Sequence, residues 1–131
     1  MPNMVLKRTG CARRLARALG RNKRHRMNAR EFVSRWRKEK DNLLASFVEP
    51  TSTLRVADRI RAMNLTDEQR EKLEGVIDSV LVDTFYTLLL GLDGCTQIGG
   101  VQETYEIRGE DGEVISECGD IEGVAGEFFL A

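Results

Sequence analysis

The sequence predicts an α+β domain with a three-helix core, a C-terminal β-hairpin and a short closing helix. Apolar residues recur at helical spacing through the first part of the chain. After it, apolar and polar residues alternate on both sides of a hairpin turn. The chain has 131 residues, enough to build one domain with its own core. We expect residues 28–131 to form this single domain.

The first helix is expected to begin behind Asn28 and to end at Val48. Asn28 and Glu31 have the spacing of a capping box, in which each side chain accepts a hydrogen bond from the backbone of the other residue. Pro50 cannot continue a helix and stops it. A shorter helix, 54–63, is predicted next.

The third helix is the most apolar part of the chain and is expected to run from a cap at Thr66 to about Gly91. Within Val80–Leu92 the only strongly polar side chain is Asp83. The predicted core face consists of Leu73, Val76, Ile77, Val80, Leu81, Thr84, Phe85, Leu88 and Leu89. A membrane span needs about 20 apolar residues. The thirteen residues of Val80–Leu92 therefore predict a core helix of a soluble protein, with no membrane as partner.

A glycine-rich loop and a hairpin are predicted after the third helix. Residues 101–108 and 113–118 are the predicted strands, joined by the turn Asp111-Gly112. Asp120 is expected to cap the closing helix. The apolar residues of that helix have helical spacing and are Ile121, Val124, Ala125, Phe128 and Phe129.

Charge is distributed unevenly along the chain, although its net charge is only −1. Residues 1–26 carry nine Lys and Arg residues and no acid. Residues 93–131 carry ten acids and a single base, Arg108, which gives a net charge of −9. Such asymmetry concerns partners and solubility and does not determine the fold.

Three interpretations of the basic extension, residues 1–27, are open. Translation begins at Met27 and the preceding residues are assigned by mistake, or the extension is a disordered arm for nucleic acid, or it is a targeting peptide. As an arm, it would contact phosphates through Arg13, Arg14, Arg17, Arg21, Lys23, Arg24 and Arg26.

No catalytic, metal or cofactor signature stands out. The single histidine, His25, lies in the basic extension, so no nucleophilic triad can be assembled. The glycine-rich loop lacks the Gly-Lys-Ser/Thr of a phosphate-binding loop. The three cysteines show no C-x-x-C spacing, which gives no indication of a zinc site or a disulfide framework. We expect no cofactor and lean towards a protein that is not an enzyme.

Asp83 is the residue on which an enzymatic alternative depends. A carboxylate among apolar neighbours needs a hydrogen-bonding partner, or its pKa rises. The structural interpretation is a bond to the backbone, a hydroxyl or an Arg. The functional interpretation is a small hydrolase in which Asp83 acts with Tyr86 and Asp93. If helix persists between them, the two carboxylates lie about 15 Å apart, which argues against an acid pair.

The acidic C-terminal half is predicted to bind a basic protein partner, since opposite charge speeds association and penalises wrong partners. Its candidate binding residues are Glu103, Tyr105, Glu106, Glu110, Asp111 and Glu113, with Asp93 adding to the field. Tyr105 or Tyr86 would serve as a buried aromatic anchor. The alternative is an ordinary solvated hairpin surface. Without a recognisable signal peptide, a cytoplasmic location is expected.

The stretch Asp83–Gly94, followed by Gly99–Gln102 and Tyr105, resembles the most recognisable part of a small bacterial family to which no activity is assigned. Lys38–Leu44 belongs to the same resemblance, which covers most of residues 28–131 and omits residues 1–26. In size and acidity the chain is loosely similar to toxin-neutralising immunity proteins. The resemblance implies a start at Met27, and an immunity-like inhibitor is the concrete form of the expected function.

Overall fold

The computed structural model describes residues 26–131, and these residues form the predicted α+β architecture. Helices α1, α3 and α4 pack against one another, α2 packs on α1, and the hairpin lies beside α1. The elements are α1 (Ala29–Val48), α2 (Arg55–Ala62), α3 (Asp67–Leu92), β1 (Ile107–Arg108), β2 (Val114–Ser116) and α4 (Glu122–Phe129).

Both long helices begin at the caps that the sequence identifies, and both caps are capping boxes. The Asn28 side chain accepts the N–H of Glu31 at 2.9 Å, and the N–H of Asn28 donates to the Glu31 carboxylate at 3.4 Å. Thr66 and Gln69 form the same pair at the start of α3. Each pair satisfies backbone N–H groups that have no partner within the helix, so the helix starts are set locally.

The core is centred on Phe85 and Leu89 of α3. The Phe85 ring lies 5.7 Å from the Trp36 ring and 6.2 Å from the Phe129 ring, measured between centroids. The remaining buried members of the cluster are Val33, Ile121, Ala125 and Phe129. Because α4 is short and contains two glycines, it depends on this packing for its stability.

Lys40 joins α1 to α3 through a buried ammonium group. Its Nζ lies 2.8 Å from the Asp41 carboxylate and also pairs with Asp78 of α3. Burial lowers the pKa of Lys40, but the hydrogen bonds and charges of the two carboxylates outweigh it, so the pKa lies above its usual value. The cluster therefore stays charged and fixes the two helices to each other.

The apolar face predicted for α3 turns only partly inward. Val76, Val80 and Leu88 were expected in the core, but their exposed fractions are 59%, 57% and 59%. Val82 and Tyr86, which lie outside the predicted face, pack against the core instead. The reason is that α1 and α4 both approach the Phe85 side, and no other helix or strand within residues 26–131 packs on α3.

Helix α3 is the one helix within residues 26–131 that is long and apolar enough to cross a membrane by length and composition alone. The sequence-based estimate counted only Val80–Leu92, whereas the helix spans 26 residues. Only 17% of its most apolar window is buried. Since α3 packs on α1 and α4 along one side, the arrangement is compatible with a soluble protein.

The hairpin is shorter than the sequence predicts. Ile107 pairs with Ser116 and Arg108 pairs with Val114, with an irregular register between the two pairs. Residues 102–106 leave the ladder and cross the end of α3 at Gly94. A Cβ atom at Gly94 would lie 3.1 Å from the backbone oxygen of Glu103, and the φ of Gly94 is +79°. Glycine at this position therefore permits the close crossing.

Candidate partner-binding surface

The structure does not bring the three catalytic candidates together. Asp83 is exposed on α3, so the expectation of a carboxylate enclosed by apolar neighbours is wrong. Tyr86 is half-buried and packs against the core. Helix α3 continues unbroken to Leu92, which keeps Asp83 about 15 Å along the helix axis from Asp93. An acid pair for hydrolysis has no support in this geometry.

Asp93 is fully buried at the end of α3 and caps α4. Its carboxylate accepts the backbone N–H of Ile121 at 3.1 Å and that of Glu122 at 2.9 Å. Asp120, the expected cap, instead accepts the N–H of Glu117 at 2.9 Å. Asp93 therefore contributes to the fold and does not belong to the exposed acidic field.

A cysteine thiol lies between two carboxylates beside this cap. The Cys95 Sγ is 3.1 Å from Glu122 Oε2 and 3.2 Å from Asp93 Oδ2, so the S–H can donate to either oxygen. The hydrogen bond to Glu122, desolvation of the thiol and the proximity of Asp93 raise the pKa of Cys95 to about 12. The thiol is therefore protonated and weakly nucleophilic at neutral pH.

Asp93, Cys95 and Glu122 also form the one group of potential metal ligands that residues 26–131 present. Their ligand atoms lie within 4.8 Å of one another. A metal ion would require the Cys95 thiolate. It would also compete for the Asp93 carboxylate with the two backbone N–H groups that donate to it. These contacts favour a structural role for the cluster. Sequence analysis missed it because Glu122 is far from Cys95 along the chain.

The loop of the hairpin projects acidic side chains into solvent. The N–H of Gly109 donates to the backbone carbonyl oxygen of Glu113 at 2.8 Å, and Asp111 Oδ1 accepts the N–H of Glu113 at 3.2 Å. Gly112 has a φ of +84°, which the tight turn requires. Glu110 and Asp111 are thus held at the tip of the hairpin.

The predicted partner-binding acids are all exposed, and Tyr105 is half-buried. Glu106 pairs with Arg108, and Glu113 lies 3.5 Å from the Arg26 guanidinium. Glu103 accepts a long hydrogen bond of 3.4 Å from the Tyr105 hydroxyl. Within residues 26–131, Glu103, Glu110 and Asp111 make no ion pair. We define the acidic surface as the exposed acids of residues 103–120, namely Glu103, Glu106, Glu110, Asp111, Glu113, Glu117 and Asp120.

An apolar cleft lies between α1, α3 and the loop that follows α3. Its volume is about 390 Å³. Six apolar side chains line it: Trp36, Phe85, Leu88, Leu89, Leu92 and Ile98. The other lining residues are Thr87, Gln97 and Gly99, so every described residue of the cleft is uncharged. Trp36 remains 38% exposed because it forms a wall of this cleft.

A larger and more open depression separates the start of α1 from β2. It has a volume of about 560 Å³. Arg26 and Arg30 line it together with Glu117 and Asp120, so it carries both signs of charge. This balance gives no preference for a ligand of either charge. We therefore place the candidate site at the acidic surface and the apolar cleft.

The predicted nucleic-acid-binding residues lie outside the described residues, except for Arg26. Arg26 is exposed and pairs with Glu113 of the acidic surface. The basic arm stays a prediction. Comparison of the chain with protein-family models, with curated proteins and with solved structures finds no match.

Proposed function

We propose that this chain is a non-enzymatic binding protein whose acidic surface docks a basic protein partner. The observation that carries the proposal is the charge of residues 103–120, which hold seven acids and one base. All seven residues are exposed, and of the seven only Glu106 and Glu113 form ion pairs within residues 26–131. The surface therefore keeps most of its charge available to a partner.

The chemistry of such a surface favours fast and selective association. A concentrated negative field attracts a basic protein over about a Debye length, which is about 8 Å at physiological salt. It also repels acidic proteins, which gives selectivity before any close contact forms. An inhibitor that covers the basic functional surface of another protein, such as a bacterial immunity protein in the cytoplasm, is the concrete form of this proposal.

Affinity purification from the native host tests the proposal with two matched double variants. Glu103→Lys/Glu110→Lys reverses two unpaired charges of the acidic surface. Glu71→Lys/Glu74→Lys changes the net charge equally, at exposed positions of α3. We expect the wild-type chain and the α3 variant to recover the same basic protein, and the variant of the acidic surface to lose it.

Two outcomes would count against the proposal. Equal recovery with both double variants would show that the acidic surface does not select the partner. Recovery that disappears after nuclease treatment, and that requires residues 1–26, would assign the binding to nucleic acid and the basic arm. The recovered complex should also weaken steeply as salt is raised, since exposed charges are screened.

A further inference from the structure

We propose that the apolar cleft receives a large apolar side chain, aromatic or aliphatic, from the same basic partner. This inference rests on the proposed function and adds an apolar anchor to the acidic surface. Exposed charge pairs speed association but contribute little to the lifetime of a complex. Desolvated apolar anchors in pockets usually supply that lifetime.

The walls of the cleft suit an uncharged, flat or branched group. The rings of Trp36 and Phe85, 5.7 Å apart between centroids, form one side. Leu88 and Ile98, which are 59% and 47% exposed, form the rim. A volume of about 390 Å³ holds one aromatic side chain together with part of its backbone. Thr87 and Gln97 are the available polar partners for that backbone.

Ile98 reaches this position because Gly91 has no side chain. A Cβ atom at Gly91 would lie 2.9 Å from Ile98 Cγ1, closer than such atoms approach. The side chain of Ile98 therefore lies directly on α3 and closes one end of the cleft. This part of the wall is therefore formed without a partner, and a preformed wall reduces the entropy lost on binding.

The loop that follows α3 connects the cleft to acidic groups. Gln97 follows Cys95 by two residues, which places their Cα atoms within about 7 Å. The Cys95 thiol contacts the Glu122 carboxylate at 3.1 Å. Gly94 lies under the backbone of Glu103, the first member of the acidic surface. The loop thus joins the cleft to Glu122 and to the acidic surface within a few residues, which favours a partner that carries basic residues near its apolar anchor.

Four nine-residue peptides of defined sequence test this inference. Each carries a central Trp or Ala, flanked on both sides by four Lys or by four Glu. Isothermal titration calorimetry gives the affinities, and the methyl NMR signals of Ile98 and Leu89 report occupation of the cleft. We expect the Lys–Trp peptide to bind at least about tenfold more tightly than the Lys–Ala peptide. Both Glu peptides should bind more weakly than the Lys–Trp peptide.

Two serine variants of α3 provide the matched comparison. Leu88→Ser removes part of the rim, whereas Val80→Ser changes an equally exposed residue that does not line the cleft. We expect Leu88→Ser to abolish the tenfold advantage of the Trp peptide and Val80→Ser to retain it. Both positions are more than half exposed, so both variants should fold.

The outcomes separate this inference from the proposed function. If the two Lys peptides bind equally, the cleft is not an anchor site, although the acidic surface still binds basic chains. If neither Lys peptide binds, both proposals fail. If the Glu–Trp peptide binds as tightly as the Lys–Trp peptide, the occupant is not basic. A free protein that sediments as a dimer, and becomes monomeric with Leu88→Ser, would identify a second copy as the occupant and overturn the inference.

Discussion

The carboxylate of Asp93 closes the first turn of α4 by accepting the backbone N–H of Glu122 at 2.9 Å. It also accepts the N–H of Ile121 at 3.1 Å, 28 positions along the chain. The N-cap residue of α4 makes no side-chain cap bond of its own. The end of α3 thus supplies the cap of α4, and the two helices are fixed to each other at a fully buried point.

Asp93→Ala is expected to lower the free energy of unfolding by about 2–4 kcal/mol. The variant leaves two N–H groups of α4 without an acceptor in a site closed to water, and it removes a helix cap. Asp93→Asn should cost less, because its side-chain oxygen can still accept one of the two bonds. Urea unfolding followed by circular dichroism measures both variants.

The control for this prediction is Asp83→Asn on the same helix. Asp83 is exposed, so this change should alter the free energy of unfolding by less than about 0.5 kcal/mol. A loss for Asp83→Asn as large as that for Asp93→Ala would contradict the structural assignment of the two carboxylates.

Removal of the carboxylates around Lys40 is expected to lower the free energy of unfolding more than removal of Lys40 itself. Asp41→Asn/Asp78→Asn leaves a buried ammonium group without a counter-charge, at a cost of about 3 kcal/mol. Lys40→Met should change the free energy of unfolding by less than about 1 kcal/mol, because Asp41 and Asp78 are partly exposed and water can solvate them. Equal losses in the two variants would argue against a buried ammonium.

The Lys40 cluster should contribute to stability over a wide range of pH. The folded pKa of Lys40 is raised above 10.5, so its contribution is complete below that value and is lost as pH rises through the folded pKa. The hydrogen bond from Lys40 lowers the pKa of Asp41 below 3.8, so that contribution is complete above 3.8 and is lost in acid. The difference in unfolding free energy between wild type and Asp41→Asn/Asp78→Asn should be largest near neutral pH. It should shrink in acid, where the wild-type carboxylates are protonated, and in alkali, because burial without counter-charges lowers the pKa of Lys40 in the variant.

Features that depend on residues close together in the sequence were predictable from it. The capping boxes at Asn28 and Thr66 involve residues three positions apart, and the stop at Pro50 is a property of one residue. The acidic surface was predictable because exposed carboxylates need no partner. Asp93 was the exception, since nothing near it in sequence shows that its hydrogen-bond donors come from Ile121 and Glu122.

The orientation of α3 could not be predicted for a different reason. Its second half is apolar on nearly every side, so helical periodicity offers several similar faces to the core. The positions of α1 and α4 select the face that contains Phe85 and Leu89. The apolar cleft has the same origin, because it forms where α1, α3 and the loop around Ile98 meet.

Matched alanine substitutions on α3 test this orientation. Val82→Ala should lower the free energy of unfolding by about 1–2 kcal/mol, because the side chain packs against the core. Val80→Ala should cost less than about 0.5 kcal/mol, because that side chain is 57% exposed. Both changes alter helix propensity equally, so the difference reports burial alone. A larger loss of unfolding free energy for Val80→Ala than for Val82→Ala would support the core face that the sequence predicts.

Alkylation by iodoacetamide should distinguish the two exposed cysteines of the described chain. The pKa of Cys95 is raised to about 12, so almost no thiolate is present at pH near 8, and Cys95 should react much more slowly than Cys118. Glu122→Gln removes the largest cause of this shift and should speed the reaction of Cys95. Glu127→Gln, on the same helix but bonded to Arg30, should leave it unchanged. Peptide-level mass spectrometry reads each site separately, and a Cys95 that reacts as fast as Cys118 in the wild-type protein would exclude the thiol–carboxylate contact.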